Sequence, residues 1–103
     1  MVNESKISPV EYKILILPDT VEEMMASGLW VPETAREKEQ LGQVVGTLVA
    51  VGGNTFSDWG DGRKPKVGDR VYFAKYAGYV IKGKDRREYR IANDKDIAAI
   101  IEE

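Results

Sequence analysis

The chain contains no cysteine and no histidine among its 103 residues. Without cysteine there can be no disulfide framework. Lacking both residue types removes the usual ligands for zinc, copper, haem and iron–sulfur centres. It also removes Ser–His and Cys–His nucleophile pairs. No apolar run approaches the ~18–20 residues needed to span a membrane. The first residues, Met1-Val2-Asn3-Glu4-Ser5-Lys6, lack the apolar run of a signal peptide. The basic excess of a typical nucleic-acid binder is also missing, since 15 Lys and Arg face 17 Asp and Glu for a net charge of −2. These absences lead to an expectation of one cytoplasmic domain over 1–103, with no cofactor, no metal and no enzymatic activity. A chain of this length supports one core, burying roughly 60–70% of its unfolded surface.

What is present reads as β structure. In residues 10–17, Val10, Tyr12, Ile14 and Ile16 share one face at period two, and Leu15 and Leu17 make the other face apolar toward the end. Pro18 closes that strand, having no N–H for a ladder bond. Residues 43–51 are β-branched and apolar on both faces, with Gly46 at an expected bend or bulge. Further strands are expected at 70–73, 79–82, 88–91 and 97–101, separated by polar and Gly-rich turns; the turn at 93–96 has room for one helical turn. Residues 54–66 read as a hairpin or loop, with Asp61-Gly62 as the turn. Short strands at this spacing indicate a small all-β barrel or sandwich.

Residues 19–42 break the pattern. Thr20-Val-Glu-Glu23 and Thr34-Ala-Arg-Glu37 match capping boxes, and Leu41-Gly42 resembles a helix end. Each helical stretch would be too short to stand without packing. At the centre, Leu29, Trp30 and Val31 lie between Gly28 and Pro32, with charged residues on both flanks. Two readings stay open at this point: a plug buried in the domain, or an exposed apolar hook for a partner.

In order along the chain, several stretches resemble the GroES-type co-chaperonins. The most specific is Val67-Gly-Asp-Arg-Val-Tyr-Phe-Ala-Lys-Tyr-Ala-Gly78, similar to that family's V-G-D-x-V followed by K-Y-A-G. Leu41-Gly-Gln-Val-Val, then Val49-Ala-Val-Gly52, resembles its G-x-V-x-A-V-G strand. Glu88-Tyr-Arg-Ile and Asp94-Lys-Asp-Ile-Ala-Ala-Ile-Ile101 resemble its ending. Ser27-Gly-Leu-Trp-Val-Pro-Glu-Thr-Ala-Arg-Glu-Lys38 resembles its mobile loop. Departures are Tyr12-Lys13 where the family has Asp-Arg, Trp30 where it has an aliphatic residue, and a roof segment alike only in position and turn content. Such changes would suit a divergent or virus-encoded relative, in host cytoplasm in the latter case.

The resemblance implies an irregular GroES-like β-barrel with a mobile loop at about 19–42 and a roof hairpin at about 53–66. It implies assembly as a homo-heptameric ring that caps the ATP-bound form of a GroEL-type chaperonin. Gly28, Leu29, Trp30, Val31 and Pro32 would be the chaperonin-binding residues. Tyr12, Ile14, Ile16, Ile97, Ile100 and Ile101 would form the ring seam, first strand against the neighbour's last; pairing of both strands inside one barrel is the alternative. Tyr76 would line the dome, or else be a half-buried structural tyrosine. Phe56 and Trp59 in the roof segment either stand exposed or pack on each other, and packing is the expectation.

The rival function is a small barrel binding nucleic acid through the basic 82–90 segment, with Lys82, Lys84, Arg86, Arg87 and Arg90 around Tyr89. The bland reading of that run is a solvated turn. Gly60-Asp-Gly-Arg-Lys64 lacks the Gly-Lys-Ser/Thr element of a phosphate loop. Neither nucleic acid nor membrane is expected as a partner.

Overall fold

A computed structural model describes residues 2–20, 45–74 and 76–102. Strand β1 runs Lys13–Pro18, β2 Val45–Val51, β3 Arg70–Phe73, β4 Tyr79–Lys82, β5 Glu88–Asn93 and β6 Ile97–Ile100, with a 3-10 turn at Asp94–Asp96 between the last two. The expected strands are therefore found, and so is the single turn of helix before the last of them. All pairings are antiparallel, in the order β4-β5-β1-β2-β3-β6.

β1 begins later than its alternating pattern suggests. A turn precedes it, in which the Lys13 N–H donates to the Val10 carbonyl at 2.9 Å and Glu11 takes φ 53°. Once in the sheet the strand is central, so both its edges are paired, by β2 and β5. Ile14 and Ile16 point to one side, into a cluster with Leu48, Phe56, Val71, Phe73, Ala92 and Ile97. Leu15 points to the other, against Val49 and Tyr89. Period-two alternation thus feeds two cores rather than one core and one solvated face.

The expected bulge in β2 is displaced from Gly46. Leu15 faces Ala50 whereas Ile16 faces Leu48, so the extra residue is Val49. Gly46 is required for a different reason. A Cβ there would lie 2.6 Å from Ile16 Cγ2 and 2.7 Å from the Leu17 carbonyl oxygen. The glycine lets β1 and β2 approach closely next to Pro18.

Residues 53–66 are not a hairpin. They form a run of turns without a strand, folded onto the barrel. Phe56 is buried in the main core and meets Trp59 edge to face, ring centroids 4.9 Å apart. Phe56 takes φ 64°, a left-handed conformation that few non-glycine residues adopt. Its N–H donates to the Asp94 carboxylate at 2.7 Å, and Asp94 is only 2% exposed. A carboxylate in a turn of polar residues thus ties this cap to the β5–β6 connection. Replacing Asp94 with alanine leaves a buried N–H without its acceptor, which costs about 1–3 kcal/mol. Urea unfolding of Asp94→Ala is expected to show a lower midpoint at unchanged slope; an unchanged midpoint would show that the tie contributes nothing to stability.

Candidate functional site

The hook, Gly28 to Pro32, lies outside the described residues, as do both capping boxes' helical stretches. Its root is described. β1 ends with Pro18 opposite Gly46, and the Asp19 N–H donates to the Val45 carbonyl at 2.8 Å. Arg70, at the start of β3 and paired with Thr47 of β2, reaches the Asp19 carboxylate in an ion pair. Asp19 is 7% exposed. The segment carrying the hook therefore leaves and re-enters the barrel at one end of the strands β1 and β2, where three adjacent strands are tied at one level. Sequence reasoning missed this pair, because Asp19 reads as an ordinary residue after a strand-ending proline.

The expected seam residues separate into groups. Tyr12 is 46% exposed, and neighbouring Val10 is exposed too. Ile100 and Ile101 are half-buried at the end of β6. Ile14 and Ile16 are fully enclosed in the chain's own core, and Ile97 is buried beside them. Their placement on a subunit surface is corrected accordingly: both sides of β1 are occupied by β2 and β5. β6 has one sheet neighbour among the described residues, β3, so its outer edge faces away from the barrel. Tyr76 is 85% exposed rather than half-buried. Gly78 follows it at φ 59°, where a Cβ would sit 1.7 Å from the Ile91 carbonyl oxygen.

The basic 82–90 segment is not a stacking platform. Tyr89 is buried, and so is Arg90, which donates to the Ala77 carbonyl at 2.8 Å and lies 5.7 Å over the Phe73 ring. Arg87 is engaged with Asp85 at 2.9 Å and Glu4 at 3.0 Å. Lys82, Lys84, Arg86 and Arg87 are exposed. The turn instead clasps the N-terminal segment. The Lys84 N–H donates to the Ser5 carbonyl at 2.9 Å, and Tyr89 donates its phenol hydrogen to Asp85.

That clasp sets a pH dependence. The Tyr89 hydrogen bond, with those from Arg87, holds the Asp85 carboxyl below its ordinary value. Burial, then the bond to Asp85, pushes Tyr89 up to about 12. A depressed carboxylate stabilises the fold above its unfolded pKa and loses that contribution as pH falls through the folded value. A raised phenol stabilises below its unfolded pKa, and the contribution is lost as pH rises toward about 12. Tyr89→Phe is expected to flatten the alkaline limb above about pH 10 in a stability profile. An alkaline limb unchanged by the substitution would assign it to other groups.

The described part of the chain is thus an antiparallel β-barrel whose long excursion between β1 and β2 is held at its root by a part-buried ion pair. The family profile described as "Chaperonin 10 Kd subunit" matches residues 6–101. The chain is 46% identical over 97 residues to the co-chaperonin GroES of Bacillus sp. (strain PS3), covering 92% of this chain and 98% of that protein. It is 41% identical over 99 residues to the co-chaperonin GroES of Rhodothermus marinus, covering 95% and 94%. The corresponding protein of Cutibacterium acnes (strain DSM 16379 / KPA171202) is 40% identical over 99 residues, covering 93% and 95%. The chain belongs to the chaperonin 10 kDa subunit family, and its barrel is the GroES-like fold. None of these three relatives supports a virus-encoded origin. Among the described residues no helix is long and apolar enough to cross a membrane.

Proposed function

We propose that this chain is a co-chaperonin that caps an ATP-driven chaperonin of the GroEL type and closes its folding chamber. The match to the family over residues 6–101, which takes in the hook segment as well as the barrel, carries this reading. The chaperonin contact is the hook, Gly28, Leu29, Trp30, Val31 and Pro32. The lid itself performs no chemistry; the nucleotide belongs to the partner, in its ATP-bound form. The place of action is the cytoplasm.

Energetics support a multivalent lid. Burying three large apolar side chains contributes roughly 5–9 kcal/mol. Ordering five to ten loop residues costs on the order of 5–20 kcal/mol. One hook therefore binds weakly, whereas several on one ring gain avidity of roughly 10²–10⁴. Weak parallel contacts also release readily, as a cycling lid requires. The ring is a homo-heptamer. Its seam uses the outer edge of β6 with Ile100 and Ile101, and exposed Tyr12 near the start of β1, while Ile97 supports β6 from within. Pairing that edge with a neighbouring copy removes the hazard of an open strand. Tyr76 faces the chamber.

Native mass spectrometry is expected to give a closed seven-membered ring, and co-sedimentation with a GroEL-type chaperonin is expected to need ATP. A stable monomer at micromolar concentration, or no ATP-dependent co-sedimentation, would overturn the proposal. The nucleic-acid reading has lost its aromatic platform and two of its five basic residues to the fold, and no observation favours it.

A further inference from the structure

We infer that the Asp19–Arg70 pair is a positioning clamp for the hook: it fixes where the apolar segment leaves the barrel, so that several copies present their hooks at matched positions. The inference rests on the chaperonin-capping reading above. It begins from where the pair lies. In the sheet order β1-β2-β3, Asp19 follows β1 and Arg70 opens β3, so their ion pair spans the intervening strand. The β1–β2 ladder already ends at Pro18 and Gly46, and the Asp19 N–H already closes the loop onto Val45 at 2.8 Å. The carboxylate adds a second tie, from the loop root to a third strand.

Its burial sets it apart from the exposed ion pairs. Side-chain exposure is 5% for Asp19 and 24% for Arg70, against 53% and 70% for Arg63 and Glu102, and 67% and 54% for Lys95 and Asp58. Exposed pairs exchange with water and hold no fixed geometry. A pair largely withdrawn from water adds little net stability over an apolar replacement, but together with the Asp19 N–H bond it holds the chain at residue 19 by two ties. Placing the buried one at the root of the hook segment fits a need for direction.

The consequence is small per copy and large per ring. If losing the clamp lets the root fray, the stretch of chain between the two points tied to the barrel lengthens from roughly 24 to roughly 30 residues. Effective concentration falls as about the −3/2 power of length, a loss of about 1.4-fold per hook. Seven hooks acting together turn this into about tenfold.

The test uses the full-length ring. Asp19→Asn and Arg70→Met each break the pair, and the double variant Asp19→Leu/Arg70→Met removes both charges so that no buried charge is stranded. Three quantities are read: ring state by native mass spectrometry, hydrogen exchange of the residue-19 amide against the Ile14–Ile16 amides, and ATP-dependent chaperonin affinity. The expected result is an intact ring, faster exchange at residue 19 and the adjoining root amides but not at Ile14–Ile16, and about tenfold weaker binding. A free peptide of residues 21–44 should compete equally well against wild type and variants, because the chaperonin's groove is untouched. Unchanged chaperonin affinity in an intact variant ring overturns the clamp, as does unchanged exchange at residue 19. Failure of the wild-type ring to bind would instead sink the capping reading, and the clamp with it. If a single variant fails to fold, the double variant decides.

Discussion

Trp30→Glu is expected to abolish ATP-dependent chaperonin binding while leaving barrel and ring intact. A charge placed in an apolar groove must either be desolvated or hold the hook out of it. Desolvation of an unpaired carboxylate costs several kcal/mol per site. Loss of the indole removes a further ~1.5–3 kcal/mol of apolar burial. With every hook altered alike, these losses multiply across the ring, so no residual binding is expected in co-sedimentation at micromolar protein. Native mass spectrometry and a thermal melt of the variant check that ring and barrel persist. Binding that survives the substitution, with the ring intact, would remove Gly28 to Pro32 from the contact.

Gly78→Ala is expected to be as damaging to the fold as Trp30→Glu is to binding. A Cβ at position 78 would be 1.7 Å from the Ile91 carbonyl oxygen and 2.9 Å from the Ala92 Cα, both backbone atoms of β5. Backbone within a central pairing cannot step aside as a flexible side chain can. The residue also needs φ 59°, which alanine adopts at a cost of roughly 1–2 kcal/mol. β4 and the turn carrying Tyr76 and Ala77 would have to lift from β5, and with them the carbonyl that receives Arg90. Loss of soluble protein, or a melting midpoint lowered by about ten degrees or more for about 3 kcal/mol in a chain of this size, is the expected result. A midpoint within about two degrees of wild type would show that the close approach is not required. Gly53, with nothing near its absent Cβ, is the control that should tolerate alanine.

The strands are legible in the sequence because turn chemistry and period-two patterning both act locally. Val45 to Val51, Arg70 to Phe73 and Tyr79 to Lys82 lie inside or match the expected limits. The seam is less legible. The resemblance gives the first strand to the ring seam, and Ile14 and Ile16 go with it. Seam pairing, however, uses a strand's edge, whereas alternating side chains point into its faces. Here those faces pack into the chain's own two core clusters. The carboxylates are hidden for another reason. Asp19 and Asp94 sit among polar turn residues, where composition signals solvent. Their burial follows from long-range partners, Arg70 and the Phe56 N–H, that no local pattern announces. Arg90 misleads in the opposite direction: one cation in a basic run turns inward, to the Ala77 carbonyl and the Phe73 ring. The hook segment is legible as a family motif, and its contact role rests on that resemblance.

The Phe56–Trp59 stack has a practical consequence in optics. The chain holds two tryptophans, Trp30 in the hook and Trp59 in the cap. Trp59 is held edge-on against a core phenylalanine, 4.9 Å between centroids at 80°. An indole in so asymmetric a setting gives a near-ultraviolet circular dichroism band that vanishes when the cap comes loose. Trp30→Phe would leave that band as a single-chromophore readout of the barrel, and Trp59→Phe would leave an emission reporting the hook alone. One small protein thus carries separate lamps for its fold and for its docking.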